Sequence, residues 1–135
     1  MDYADFNNSY LVFAPNKGTT DDGKLTISKI NGLDINNCSL VTLSACETAV
    51  SKEEVKGWYI SPVNSFLQSN VSTVVASLWQ VDDKATSILM TEFYKNLITM
   101  SKVEALRKAQ ETLSKNPEYA HPYFWSAFVL YGEWR

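Results

Sequence analysis

The sequence feature that most constrains the fold is the uncharged run that leads into Cys46. Residues 40–45 read LVTLSA, and such a run is typical of a strand buried on both faces of a parallel sheet. A second run of the same kind, TVVASL, covers residues 73–78. Open α/β sheets place their ligands and chemistry at the carboxyl ends of such strands. We therefore expect Cys46 to lie at the functional edge of the sheet.

The second run is followed by Trp79 and then by two carboxylates, Asp82 and Asp83. Parallel strands end at one edge, so this segment and Cys46 are expected to face the same crevice. Either aspartate is also a good helix N-cap, because a carboxylate accepts hydrogen bonds from the free N–H groups of a first helical turn. Capping and a functional role are both compatible with the pattern, and Trp79 is expected in the core or in a pocket wall.

Periodicity and turn residues predict the element order β, short α, β, α, β, α, α, β within one domain spanning residues 1–135. A strand at 9–14 is expected to enter a hairpin or an edge excursion at 16–23. Residues 48–59 are expected in a polar loop, and Ser101 with Glu104 has capping-box spacing. The last buried strand is expected at 125–131. Tyr123, just before it, is expected to be a core aromatic.

Charge and hydropathy exclude several functional classes. The net charge of −3 leaves no basic surface for nucleic acid. The longest apolar runs are far shorter than the ~20 residues that span a bilayer, so no membrane association is expected. No G-x-G-x-x-G or P-loop pattern follows either strand, which argues against a nucleotide. We expect no cofactor.

The two cysteines, Cys38 and Cys46, bracket the first buried run. An extended strand between them would separate their Cα atoms by about 26 Å, whereas a disulfide requires less than ~7 Å. Two unpaired thiols suit a reducing compartment, so a cytoplasmic protein is expected. With two Cys and one His, the sequence offers no zinc-type ligand cluster, and no metal is expected.

Five ordered motifs together resemble the CHAT domain, a caspase-like family that is similar to separase. They read LSACETA, TVVASLWQVDD, ILMTEFYKNL, ALRKAQETL and HPYFWSAFVLYGEW. The resemblance runs from about Tyr3 to the C-terminus. It implies a caspase-like three-layer α/β/α sandwich with a mostly parallel sheet. It also implies a cysteine endopeptidase in which Cys46 is the nucleophile and its backbone N–H belongs to the oxyanion hole.

The same resemblance implies a general-base His at the end of the preceding strand, a position that falls at or before Met1. No His precedes Cys46. The expectation is the C-terminal portion of a CHAT domain, incomplete on its N-terminal side and inactive or weak alone. A buried strand without its neighbour favours domain swapping, oligomerisation or a complementing N-terminal segment. The single imidazole, His121, is expected to be structural and hydrogen-bonded near the start of the last strand.

Resemblance to separase also implies a role for the carboxylates. Asp83, with Asp82 as the second choice, is expected to line the primary specificity pocket and to select a basic side chain, beside Trp79. The implied partners are a protein or peptide substrate and a regulatory helical-repeat region. A different class stays open, namely a non-catalytic protein-interaction module with the same fold.

Overall fold

The computed structural model of the chain describes residues 10–14, 22–44, 54–55, 58–59 and 62–135. The strands in these segments are β1 (Tyr10–Val12), β2 (Lys24–Thr26), β3 (Val41–Leu43), β4 (Glu54–Val55), β5 (Trp58–Tyr59), β6 (Thr73–Ser77) and β7 (Phe128–Gly132). The α-helices are α1 (Ile27–Asn31), α2 (Pro62–Gln68), α3 (Asp83–Asn96) and α4 (Lys102–Ser114), and a 3-10 helix covers Pro122–Phe124.

The central sheet has the strand order β3-β6-β7. β3 and β6 are parallel, as predicted for the two apolar runs, with Leu43 opposite Ala76. β7 is antiparallel to β6 and begins opposite its carboxyl end, where Phe128 pairs with Ser77. Between them, α3 and α4 with their short connection bring the chain back to the carboxyl end of β6. The strand that follows must therefore run antiparallel to β6. The described sheet is therefore mixed.

The sheet separates two helical layers. Every residue of β6 is buried, and successive side chains point to opposite faces. Val75 packs in one cluster with residues of α3 and α4, such as Leu89. Val74 and Ala76 pack on the other face with residues of α1 and α2, such as Phe66. The predicted three-layer α/β/α sandwich is thereby confirmed.

β3 is less buried than the sequence predicts. Leu43 is buried, but Val41 and Thr42 are half-buried. Among the described segments no strand pairs with its second edge, and the hydroxyl of Tyr94 on α3 donates a hydrogen bond to Thr42 Oγ1 at 2.8 Å. An edge strand keeps part of its surface open, so the expectation of burial on both faces is wrong for this strand.

Three further segments can be compared with the structure that the sequence predicts for them. The strand predicted at 125–131 begins only at Phe128, because residues 125–127 form a turn that follows the 3-10 helix. β4 and β5 form a two-stranded antiparallel sheet within a segment that was predicted as a loop. The hairpin predicted near the N-terminus is confirmed by β1 and β2, with Tyr10 opposite Thr26. Its turn at 15–21 lies outside the described residues.

The helix start predicted at Ser101 is confirmed. Glu104 Oε2 accepts hydrogen bonds from the Ser101 hydroxyl at 2.6 Å and from the Ser101 backbone N–H at 3.2 Å. These bonds stabilise the ionised form, so they lower the pKa of the Glu104 carboxyl. The apolar stripe of α3 is also as predicted, with Ala85, Leu89 and Phe93 buried.

Gly132 ends β7 with φ of +94°, and a Cβ there would collide with the carbonyl oxygen of Ser72. We expect Gly132→Ala to lower the free energy of unfolding by about 2–3 kcal/mol, since strain and overlap add. Gly32 is the matched control, because its φ is −93° and a Cβ would meet nothing closer than 3.6 Å. Gly32→Ala is expected to change stability by less than about 0.5 kcal/mol in urea titration. Equal losses in the two variants would contradict the described close approach.

Candidate functional site

The carboxyl ends of β3 and β6 lie at one edge of the sheet, because the two strands are parallel and in register. Ser44 is the last described residue after β3, and Cys46 follows two positions later, outside the described residues. The chain leaves β6 at the same edge through Leu78, whose N–H donates to the Ala127 carbonyl oxygen at 2.9 Å. The convergence of the two strand ends is confirmed, whereas the place of the Cys46 sulfur stays a prediction.

Trp79 lies between the end of β6 and the segment before β7. Its side chain is half-buried, and its indole Nε1–H donates to the carbonyl oxygen of Tyr123 at 3.0 Å. The two aromatic rings also stack, with centroids 6.1 Å apart and an interplanar angle of 26°. Trp79 is thus held by a hydrogen bond and by ring stacking, both with Tyr123. A side chain that forms the wall of a binding site has to be held in this way.

Tyr123 is the residue at this edge that the sequence reasoning missed. It is not a core aromatic, since 48% of its surface is exposed. Its hydroxyl donates to the Gln80 carbonyl oxygen at 2.7 Å. The sequence offers one indication of where Tyr123 lies, namely that it follows Pro122 at the start of a short helix. The partners, however, lie more than forty residues earlier in the chain.

Asp82 is the N-cap of α3, which confirms one of the two predicted roles of the carboxylate pair. Its Oδ1 accepts hydrogen bonds from the N–H groups of Lys84 and Ala85, both at 3.0 Å. Its carbonyl oxygen accepts the N–H of Thr86 at 2.9 Å. The carboxylate of Asp82 is therefore engaged with the helix terminus.

Asp83 has a different environment although it is the next residue. It is exposed and occupies the first turn of α3, where the helix dipole favours a negative charge. Within residues 10–14, 22–44 and 62–135, no side chain or backbone group forms a hydrogen bond or ion pair with its carboxylate. Of the two aspartates, Asp83 is the one that can receive a cationic group.

Lys84, the residue that follows Asp83 in the sequence, forms an ion pair with another carboxylate. Its Nζ lies 3.5 Å from Glu118 Oε1, and both side chains are exposed. The Glu118 carboxylate raises the pKa of Lys84. This contact links the start of α3 to the segment that follows α4, and it leaves the neighbouring Asp83 carboxylate without an intramolecular counter-ion in the described part of the chain.

His121 is exposed and acts as the N-cap of the 3-10 helix. Its Nδ1 accepts a hydrogen bond from the N–H of Tyr123 at 3.2 Å. An Nδ1 that accepts a hydrogen bond carries no proton, so this contact belongs to the neutral ring. The predicted structural role near the start of the last strand is what the structure shows.

Gln110 of α4 anchors the segment between the 3-10 helix and β7. Its Nε2 donates to the carbonyl oxygens of Trp125 at 3.1 Å and Phe128 at 3.0 Å. Both protons of one half-buried amide are used, which fixes the chain on each side of Ala127. The segment that carries Tyr123 is therefore attached to a packed helix.

No three His, Cys, Asp or Glu side chains stand close enough to hold a metal ion among the residues that the structure describes. In the same part of the chain, no helix is long and apolar enough to cross a bilayer. The chemistry of the edge is that of aromatic faces, backbone carbonyls and one uncommitted carboxylate.

Comparison with known proteins agrees with the resemblance drawn from the motifs. The sequence matches the CHAT domain family over residues 4–133. The chain belongs to the CHAT domain family. Tetratricopeptide repeat protein 28 of Homo sapiens is 30% identical over 94 residues, covering 69% of the chain. The Mus musculus protein of that name is 26% identical over 111 residues, or 81% of the chain. This CHAT domain spans about 4% of the length of either relative.

A solved structure shows the same fold. The crystal structure of the Saccharomyces cerevisiae separase–securin complex at 2.6 Å matches with a TM-score of 0.58 and 17% identity. The match covers 78% of this chain and 7% of the separase-complex chain. At this level of identity the likeness concerns the fold alone. The caspase-like α/β class expected for this CHAT domain is thereby confirmed.

The two aspartates should differ in their contribution to stability. Asp82→Ala removes the acceptor of two backbone N–H groups, and we expect a loss of about 1 kcal/mol in the free energy of unfolding. Asp83→Ala removes an exposed carboxylate without a partner in the described chain and should cost less than about 0.5 kcal/mol. Thermal and urea unfolding measure both. A larger loss for Asp83→Ala would mean that its carboxylate, and not that of Asp82, supports the helix.

Proposed function

We propose that this CHAT domain carries the nucleophile and the primary specificity pocket of a caspase-like cysteine endopeptidase that cleaves beside a basic residue. The observation that supports the proposal is the convergence of two strand ends. One leads within three residues to Cys46, and the other leads to Asp83, whose carboxylate has no partner among the described residues. Open α/β sheets bind ligands at this kind of edge.

The proposed reaction is acyl transfer to sulfur. The Cys46 thiolate forms a bond to the peptide carbonyl carbon, and backbone N–H groups, including that of Cys46, stabilise the oxyanion. The amine leaves with a proton. Water then adds to the thioester and releases the acid and the thiol. Since a free thiol has a pKa of about 8.5, a neighbouring base is needed for rapid reaction at neutral pH.

His121 is not the base in this proposal, because its Nδ1 accepts the Tyr123 N–H and its place is the N-cap of a short helix. The CHAT family implies a His on a strand that precedes the residues printed here. We propose that a peptide with this sequence reacts slowly alone and gains activity when that strand is supplied. It could be supplied in the same chain, by a second copy or by a separate segment.

Asp83 is proposed to select the substrate. An exposed carboxylate without a counter-ion attracts a Lys or Arg side chain, and two hydrogen bonds to a guanidinium would add geometric selectivity. Trp79, which is stacked on Tyr123, would form the apolar wall along which the methylene groups of that side chain lie. Asp82 has no such role, since its Oδ1 is used by the helix.

Protein partners are proposed on the basis of the similar proteins. Separase was crystallised with securin, and the matched relatives are named for tetratricopeptide repeats. We propose a protein substrate and a helical-repeat region that controls access to the site. We further propose that the domain works in the cytoplasm, where thiols stay reduced.

A non-catalytic interaction module is the second candidate. The observation that favours it is the structural engagement of His121, the one His in the sequence, as the N-cap of the 3-10 helix. The module would keep the sheet edge as a binding surface for a basic peptide. Thiol chemistry separates the two candidates, because only a peptidase requires Cys46.

The decisive experiment uses two acyloxymethyl ketone peptides that differ in one residue, arginine or norleucine beside the electrophile. We expect the arginine probe to modify Cys46 faster, and we expect Cys46→Ala to abolish labelling while Cys38→Ser preserves it. Asp83→Asn should lower the arginine-probe rate by about 10-fold or more without changing the norleucine rate, because an ionic hydrogen bond is lost.

Asp82→Asn is the matched control, since an asparagine oxygen can still cap α3. It should leave the arginine-to-norleucine ratio unchanged. Mass spectrometry of the labelled peptide gives the site and the rate. Equal labelling of Cys38 and Cys46, or binding of the basic peptide by a chain in which neither probe modifies Cys46, would favour the interaction module. A ratio that is unaffected by Asp83→Asn would refute the basic-residue selectivity.

A further inference from the structure

We propose that Tyr123 is a positioning residue, which fixes the backbone between β6 and α3 and thereby the direction of the Asp83 carboxylate. The selectivity part of this proposal rests on the proposed function. Tyr123 lies in the last of the five CHAT-like motifs. The role proposed here follows from its contacts across the sheet edge.

Tyr123 and the segment after β6 hold each other through reciprocal bonds. The Trp79 indole donates to the Tyr123 backbone, and the Tyr123 phenol donates to the Gln80 backbone. The stacked rings fill the space between these two bonds. The Trp79 side chain thus anchors the main chain at Tyr123, and the Tyr123 side chain anchors the main chain at Gln80. Together the two bonds restrict sliding and rotation of the turn.

The phenol bond matters because the main chain of the turn has few other hydrogen bonds, although the side chains of Trp79 and Val81 pack against the core cluster of α3 and α4. Among the described residues, no backbone-to-backbone hydrogen bond involves Trp79, Gln80 or Val81. The flanking residues are held, since Leu78 donates to Ala127 and Asp82 caps α3. The Tyr123 hydroxyl is therefore the hydrogen-bond donor that holds the main chain between these two fixed points.

Tyr123 can serve as an anchor because it is itself restrained. Its N–H donates to His121 Nδ1, and the Pro122 carbonyl oxygen accepts the N–H groups of Trp125 and Ser126. The chain beyond is held by the amide of Gln110. A rigid 3-10 turn thus supports a half-exposed ring, which is typical of a side chain that acts on its neighbours.

The test is Tyr123→Phe, which removes the phenol bond and keeps the ring stack. Tyr94→Phe is the matched control. Tyr94 is 51% exposed against 48% for Tyr123, and its hydroxyl also donates one bond, to Thr42 Oγ1 at 2.8 Å. Both variants lose one phenol hydrogen bond, so a general loss of stability affects them alike.

Two measurements are made on each variant. In ¹⁵N relaxation, the order parameters of the Gln80 and Val81 amides should fall from about 0.85 to below about 0.6 in Tyr123→Phe and stay unchanged in Tyr94→Phe. In probe labelling, the arginine-to-norleucine ratio should fall about 3- to 10-fold in Tyr123→Phe only, the range expected for one lost hydrogen bond.

The outcomes separate the positioning role from the proposed function. Unchanged order parameters in Tyr123→Phe would overturn the positioning role. Increased motion with an unchanged ratio would also overturn it, because the turn would then not set selectivity. If neither probe labels the chain without substitutions, even when the strand with the general-base His is supplied, the peptidase proposal fails. The relaxation data alone then decide whether Tyr123 holds the turn.

Discussion

The parallel pairing of β3 with β6 is the constraint on which the rest of the structure depends. It places the carboxyl ends of both strands at one edge, with Leu43 opposite Ala76. Because β6 is buried on both faces, it also requires helical cover above and below, which α1 and α2 supply on one side and α3 and α4 on the other. The layer order and the location of the candidate site follow from this pair of strands.

At that edge, the neighbouring residues Asp82 and Asp83 have different environments. Asp82 satisfies the free N–H groups at the start of α3, and Asp83 is left exposed at the positive end of the same helix. Capping fixes the backbone from one side, while Tyr123 holds it from the other through Gln80. An uncommitted carboxylate on a backbone fixed from both sides is suited to recognise a cation, because little ordering remains to be done on binding.

Local sequence patterns predicted the parts of the fold that depend on nearby residues. The two apolar runs predicted β3 and β6, and the apolar stripe of one helix predicted α3. Ser101 with Glu104 predicted the start of α4. The exposure of Tyr123 was not predictable, because its contacts with Trp79 and Gln80 join residues 44 and 43 positions apart. The partial exposure of β3 was missed for a similar reason, since it depends on which strand lies at the sheet edge. The site at Cys46 was inferred from a motif, and its geometry lies outside the described residues.

The most direct test of the central claim is a crystal structure of the adduct between Cys46 and an electrophilic peptide with arginine beside the reactive carbon. We predict continuous density from the Cys46 sulfur to the peptide. The guanidinium should form hydrogen bonds with the Asp83 carboxylate, and the methylene groups of the arginine should lie along Trp79. A Cys46 sulfur that is packed among core hydrocarbon and unmodified, or a guanidinium that lies away from Asp83, would contradict the central claim.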